Sequence, residues 1–273
     1  MSLGSLNIRT PLVVVILSLS ILSLSACGTF RTHEEELETA SVERTYEICK
    51  EAIDDGNYDR ATRDFKRLIG RFPFGSYTEL AQLDLAFAQS KLGDSDEALA
   101  TANRFIKTYP THQHADYAYY LRGLINVERQ NSLVDRLVPG DRSTHDQVTN
   151  KQAFLDFAEM LKRYPDSKYA PDARARMVVL RGILADSELK IAQYYLRRGA
   201  HVGAISRAKL VVESYQGSEQ SLDALAVMIA AYEALGQDKL AQDSEAVLKL
   251  NAPQHAHFTG ARSKNGRWWL LGY

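Results

Sequence analysis

Gly56-Asn-Tyr-Asp-Arg-Ala61-Thr-Arg-Asp-Phe-Lys-Arg-Leu-Ile-Gly-Arg-Phe-Pro73 decides the fold, because its glycine, alanine and proline recur at fixed spacing. The same order returns as Gly93, Ala98 and Pro110 and again as Gly236, Ala241 and Pro253. Gly199, Ala204 and Gln216 form a degraded copy, and Ala153 to Pro165 fits without its glycine. Each residue type has a physical task. Glycine accepts the turn between two helices, alanine lets two backbones approach, and proline cannot continue the second helix. Seven positions before the glycine a small residue is needed on the first helix, and the chain supplies Cys49, Ala86 and Ala192.

This pattern resembles the tetratricopeptide repeat, in which helix A and helix B of each unit bury their apolar faces only by stacking on neighbours. The second helix of each copy carries an apolar stripe at helical spacing: Phe65, Leu68, Ile69 and Phe72; Phe105, Ile106 and Tyr109; Phe157, Leu161 and Tyr164; Val211, Val212 and Tyr215. First helices are predicted at 42–54, 77–91, 115–130, 172–198 and 219–234. The fourth has about twice the usual length and is expected to bend or break near Asp186 and Ser187. The fold class is therefore all-α, a solenoid of about five tetratricopeptide-type helical hairpins over 42–253, with an N-terminal half at 42–165 and a C-terminal half at 166–253. A groove lined by first helices is the expected binding surface, with Gln82, Asp84, Gln89, Asp116, Tyr120 and Arg122 as its polar lining.

Residues 1–26 read as a leader: Arg9 is their only charge, and the apolar run from Pro11 to Leu24 is short for a membrane span of about 20 residues. It ends in Leu24-Ser-Ala-Cys27, which looks like a bacterial lipobox, making Cys27 the candidate lipidation site. Gly28 follows where an aspartate would resemble an inner-membrane retention signal, so outer-membrane sorting is implied by resemblance. Residues 27–41, with Glu34, Glu35 and Glu36, are expected to be a flexible tether. Cys49 is the other cysteine, so once Cys27 carries lipid no internal disulfide can form and packing must supply stability.

Residues 131–150 lengthen one connection, and the tail 254–273 combines Arg262, Lys264 and Arg267 with Trp268 and Trp269. A membrane or partner contact and a fold-back over the last hairpin are both open for that tail. The full-length net charge of −1 gives no basic surface for nucleic acid. No nucleophile elbow, phosphate-binding glycine loop or HExxH motif occurs, so no catalytic residue, cofactor or metal is assigned and enzyme activity is not expected. His112-Gln-His114 and His255-Ala-His257 are read as solvated loop histidines.

With lipobox and hairpins in place, the chain resembles the BamD family of outer-membrane assembly lipoproteins. The most specific stretches are Arg71-Phe-Pro-Phe-Gly75, Tyr120-Leu-Arg-Gly-Leu124, Gly140-Asp-Arg-Ser143, Arg163-Tyr-Pro-Asp-Ser-Lys-Tyr169 and Ala192-Gln-Tyr-Tyr-Leu-Arg-Arg-Gly-Ala200. The resemblance implies a periplasm-facing scaffold in the BAM complex that inserts β-barrel proteins into the membrane. Its C-terminal hairpins would hold a periplasmic domain of BamA, with Arg207 as the candidate ion-pair contact. Its N-terminal hairpins would receive unfolded outer membrane proteins near Pro73, Phe74, Gly75 and Tyr77, and other BAM lipoproteins would be companions. The alternative is a periplasmic repeat lipoprotein that coordinates envelope constriction or peptidoglycan synthesis. An accessory protein that binds glycan would instead need aromatics on one exposed face.

Overall fold

The structure, a computed structural model, describes residues 33–129 and 147–260. The leader, Cys27, residues 130–146 and the tail from 261 lie outside the described residues. Among the described residues the chain is helical without strands, and it divides into two compact units between Thr78 and Glu79. The first contains α1 (His33–Thr39), α2 (Val42–Asp54), α3 (Tyr58–Arg71) and the start of α4 (Ser76–Leu92). The second holds the rest of α4, then α5 (Ser95–Thr108), α6 (Ala115–Arg129), α7 (Val148–Arg163), α8 (Ala170–Arg197), α9 (His201–Ser214), α10 (Gln220–Ala234), α11 (Asp238–Asn251) and the short α12 (Ala256–Thr259).

The repeat spacing produces one recurrent hairpin. Gly56, Gly93, Gly199 and Gly236 all have positive φ, at 71°, 90°, 71° and 66°. After each, the next residue donates its N–H five residues back: Asn57 to Ala52, Asp94 to Gln89, Ala200 to Tyr195 and Gln237 to Tyr232, at 2.8–3.0 Å. This is the Schellman closure, which satisfies carbonyls that the first helix leaves without partners. At Gly93 a side chain would force a left-handed backbone on a β-carbon, so glycine suits the position best. The crossing residues Ala61, Ala98, Ala153 and Ala204 are fully buried, and Phe65, Phe105 and Phe157 fill the space beneath them. Cys49 is also fully buried, as its packing position requires.

Enlarging Ala61 or Ala98 to leucine is expected to lower stability by about 1–3 kcal/mol through overpacking. Thermal melting of the soluble domain checks this, and an unchanged midpoint for both variants would contradict the register.

Three sequence expectations are corrected. Residues 33–39, read as part of a flexible tether, form α1, because Leu37 finds a buried site and is 3% exposed. The predicted break near Asp186 and Ser187 is absent: α8 runs unbroken for 28 residues, with Leu180, Leu184, Ala185, Leu189 and Ala192 buried along it. The compact units do not divide at residue 165, because α7 and α8 share a core of Phe157, Met160, Ala173 and Leu180. Of the tail, whose two readings were left open, 254–260 is described: α12 sets Phe258 against the α10–α11 core, as the fold-back alternative expects.

The first histidine of each pair, read as a solvated loop residue, is instead mostly buried. His112 and His255 each accept, at Nδ1, the N–H of the residue two further on, at 3.1 and 3.2 Å. Each Nε2 faces a carboxylate of the preceding first helix: Glu79 at 3.3 Å and Asp223 at 3.2 Å. Ser167 repeats this hook, accepting from the Tyr169 N–H and donating to Asp116 at 2.6 Å. The position two after Pro110, Pro165 and Pro253 thus starts the next helix and ties it to the preceding first helix.

Candidate functional site

The first unit carries four of the expected site residues on one loop. Phe72 closes α3 by donating its N–H to the Leu68 carbonyl, and Pro73 prevents another turn. Gly75 has φ 118°, which turns the chain into α4, and Thr78 fastens the loop by donating its hydroxyl to the Phe72 carbonyl. Phe74 is left 87% exposed. Tyr77 lies half-buried against Tyr46, ring centres 5.5 Å apart, and Tyr46 in turn meets the edge of Phe65. Pro73, Phe74 and Gly75 are therefore an exposed apolar tip, and Tyr77 is part of an aromatic floor leading into the core.

In the second unit the expected polar groove lining is not a single wall. Gln89 is buried inside the α4–α5 hairpin, where it accepts from Thr101 and donates to Glu97. Asp116 is held by the Ser167 hook. Arg122 turns toward α7: its guanidinium lies 2.9 Å from Asp156 and 2.6 Å from Glu159. Asp156, almost fully buried, also accepts from Asn126 and Gln152. Burial would raise the Glu159 carboxyl, but hydrogen bonds from Arg122 and Arg163 outweigh it and hold its pKa below the ordinary value. This network borders a cleft of about 390 Å³ between α5, α6 and α7, with Leu99, Asn103, Arg129 and Leu155 on its walls.

Tyr120 belongs to a different cluster, which the sequence reading missed. It stacks on Tyr169 with centres 4.9 Å apart, Tyr117 meets the same ring at 5.3 Å, and Tyr120 donates to Asp172, which also accepts from Arg176. Burial and the nearby Asp84 carboxylate push the Tyr117 hydroxyl well above its usual range. Hydrogen bonds from Tyr120 and Arg176 lower the Asp172 pKa. The signal available in the sequence was Tyr117 and Tyr120 three apart on one first helix, facing Tyr169 at the start of the next first helix, α8.

Arg207 sits on α9, 41% exposed, with its guanidinium 2.9 Å from Glu188 on α8. Apolar side chains stand exposed on the same helix, Val202 and Leu210. On α11, Leu240, Val247 and Leu250 are exposed as well. Aligned on the crossing alanines, these last three take the positions held in α5 by the exposed Glu97, Arg104 and Lys107. The outer face of second helices in this unit thus changes from charged to apolar toward the C-terminus. Aligning the repeat copies on Ala98 and Ala241 would have found it from sequence.

No group of histidine, cysteine and carboxylate side chains among the described residues is arranged to hold a metal ion, and none of the described helices is long and apolar enough to cross a membrane. Helical hairpins closed at Gly56, Gly93, Gly199 and Gly236 and crossing at buried alanines define a tetratricopeptide-type helical repeat protein. The YfiO family model, described as outer membrane lipoprotein, matches residues 38–248. The chain is 37% identical over 260 residues to the outer membrane protein assembly factor BamD of Neisseria meningitidis serogroup A, covering 93% of this chain and 97% of that one. It is 42% identical to the BamD of Xylella fastidiosa strain 9a5c, over 80% of this chain and 75% of that one. For the Vibrio cholerae BamD the identity is 35%, over 76% and 86%. The chain belongs to the BamD family of outer membrane protein assembly factors. That membership carries a role in outer membrane protein assembly and association with the outer membrane.

Proposed function

We propose that this chain is a non-catalytic scaffold and substrate receptor of β-barrel assembly, lipid-anchored through Cys27 and facing the periplasm. Its C-terminal hairpins bind a periplasmic domain of BamA, and its N-terminal unit receives unfolded outer membrane proteins at Pro73, Phe74, Gly75 and Tyr77. Other lipoproteins of the same complex are its companions.

The observation that carries the reading is the exposure of Phe74 on a loop braced by Gly75 and Thr78 above the Tyr46–Tyr77 floor. A rigid apolar tip beside an aromatic surface suits an extended peptide with an aromatic side chain, since such ring pairs add about 0.5–1.5 kcal/mol beyond burial. The apolar outer faces of α9 and α11 support a partner on the second unit, because solvent-facing Leu240, Val247 and Leu250 gain from being covered. Arg207 is on the same helix as exposed Val202 and Leu210, and its partly exposed guanidinium can pair with an acidic residue of the partner in place of, or beside, Glu188.

Arg207→Glu is expected to weaken binding of the purified chain to the isolated periplasmic part of BamA at least tenfold, about 1.4 kcal/mol. The partly exposed side chain argues for a peripheral contact, which acts mainly on the association rate. Because the new carboxylate would face Glu188, Arg207→Gln is measured beside it, with melting curves for both. Wild-type affinity with wild-type melting would remove Arg207 from the interface, and a collapsed melt for both variants would make it a structural residue.

A further inference from the structure

We propose that Glu188 sets the strength of the Arg207 contact, as an intramolecular competitor that keeps pairing with a partner's carboxylate weak. The proposal rests on the reading of Arg207 as a partner contact.

Arg207 donates from Nη1 to Glu188 at 2.9 Å, and among the described residues neither side chain has another ion-pair partner. Glu188 is the less exposed of the two and stands on the unbroken α8, so anything that reaches Arg207 finds a carboxylate already in place. Its charge also extends past the arginine: after burial, Glu188 is the second cause that pushes the Tyr215 hydroxyl above its usual range. The cations next along the two helices add nothing to Arg207. Lys190 faces Asp186 of α8, and Lys209 faces Glu213 of α9.

Arg122 shows what a second carboxylate requires. It lies 2.9 Å from Asp156 and 2.6 Å from Glu159, but Arg163 also reaches Glu159 at 2.9 Å, so two cations face two anions. At Arg207 one cation faces one anion. A carboxylate that a partner brings to Arg207 therefore meets a pair that is already neutral. Glu188 repels it from the far side of the guanidinium, roughly 6 Å away, which in water is worth about a factor of three in affinity and more where binding excludes solvent.

The test is binding of the purified full chain to the isolated periplasmic part of BamA, at low and at high salt, with a melting curve for every variant. Glu188→Gln keeps an acceptor for the Arg207 Nη1 hydrogen and removes only the charge. It is expected to bind at least about threefold tighter at low salt, through faster association, with the gain shrinking at high salt as screening removes the repulsion. Glu188→Ala, which removes the acceptor as well, should also gain. Unchanged or slower association of both variants, beside weakened binding by Arg207→Gln, would overturn the competitor and leave Arg207 at the interface with Glu188 merely holding it. A gain that salt does not reduce would overturn it too, because charge would not be its cause. Wild-type affinity and melting of Arg207→Gln would overturn the reading of Arg207 and the proposal with it.

Discussion

Phe157→Ala is expected to lower the stability of the second unit by about 3–5 kcal/mol, the range for removing a fully buried aromatic side chain. Phe157 has no exposed surface and packs with Tyr119, Ala153, Met160, Ala173 and Leu180, so one truncation opens the seam between α6, α7 and α8 together. The ring also fills the space left by Gly123: a β-carbon there would sit 2.6, 2.8 and 2.9 Å from three of its atoms. Gly123→Ala alone should therefore cost about 1–3 kcal/mol by overpacking. The double variant should cost clearly less than both together, because the added methyl enters the cavity that Phe157→Ala leaves. Urea unfolding of the three variants gives the comparison. Additive costs would show that ring and glycine do not share the space assigned to them.

Cys27→Ala is expected to abolish attachment of the isolated chain to the outer membrane without unfolding it. Each methylene that enters a bilayer contributes roughly 0.8 kcal/mol, so several acyl chains on Cys27 would hold at the membrane a chain in which none of the described helices is long and apolar enough to cross it. The α1 contacts begin at His33, downstream of the substitution, so the fold should melt as before. Mass spectrometry of the N-terminal peptide and membrane fractionation without partners read the effect. An unmodified N-terminus at a different residue, or full retention of the variant, would contradict the assignment of Cys27.

The hairpins were legible because their determinants are local: Gly56, Gly93 and Gly236 set backbone conformation, and Ala61 and Ala98 set helix spacing wherever the chain goes. What was misread depends on distant partners. The stretch from Glu34 to Leu37 reads as tether until Arg67 of α3 and Arg44 of α2 meet Glu34 and Glu36, and Arg71 donates to the Leu37 carbonyl. His112 and His255 look free until Glu79 and Asp223, more than thirty residues earlier, come to face them. Gln89 and Arg122 have groove-like spacing, yet Thr101 draws Gln89 into the interior and Asp156 turns Arg122 toward α7. Of the site, the Pro73–Tyr77 loop was readable from its own turn residues, and the apolar outer face of α11 required comparison between repeats.

The central claim is that this chain works by holding other components of β-barrel assembly. Affinity purification of the full chain from detergent-solubilised outer membranes, followed by identification of what elutes with it, tests this most directly. Recovery of BamA in near-stoichiometric amount, reduced by Arg207→Glu, is the predicted result. Recovery of cell-wall synthases with no β-barrel assembly subunit would contradict it.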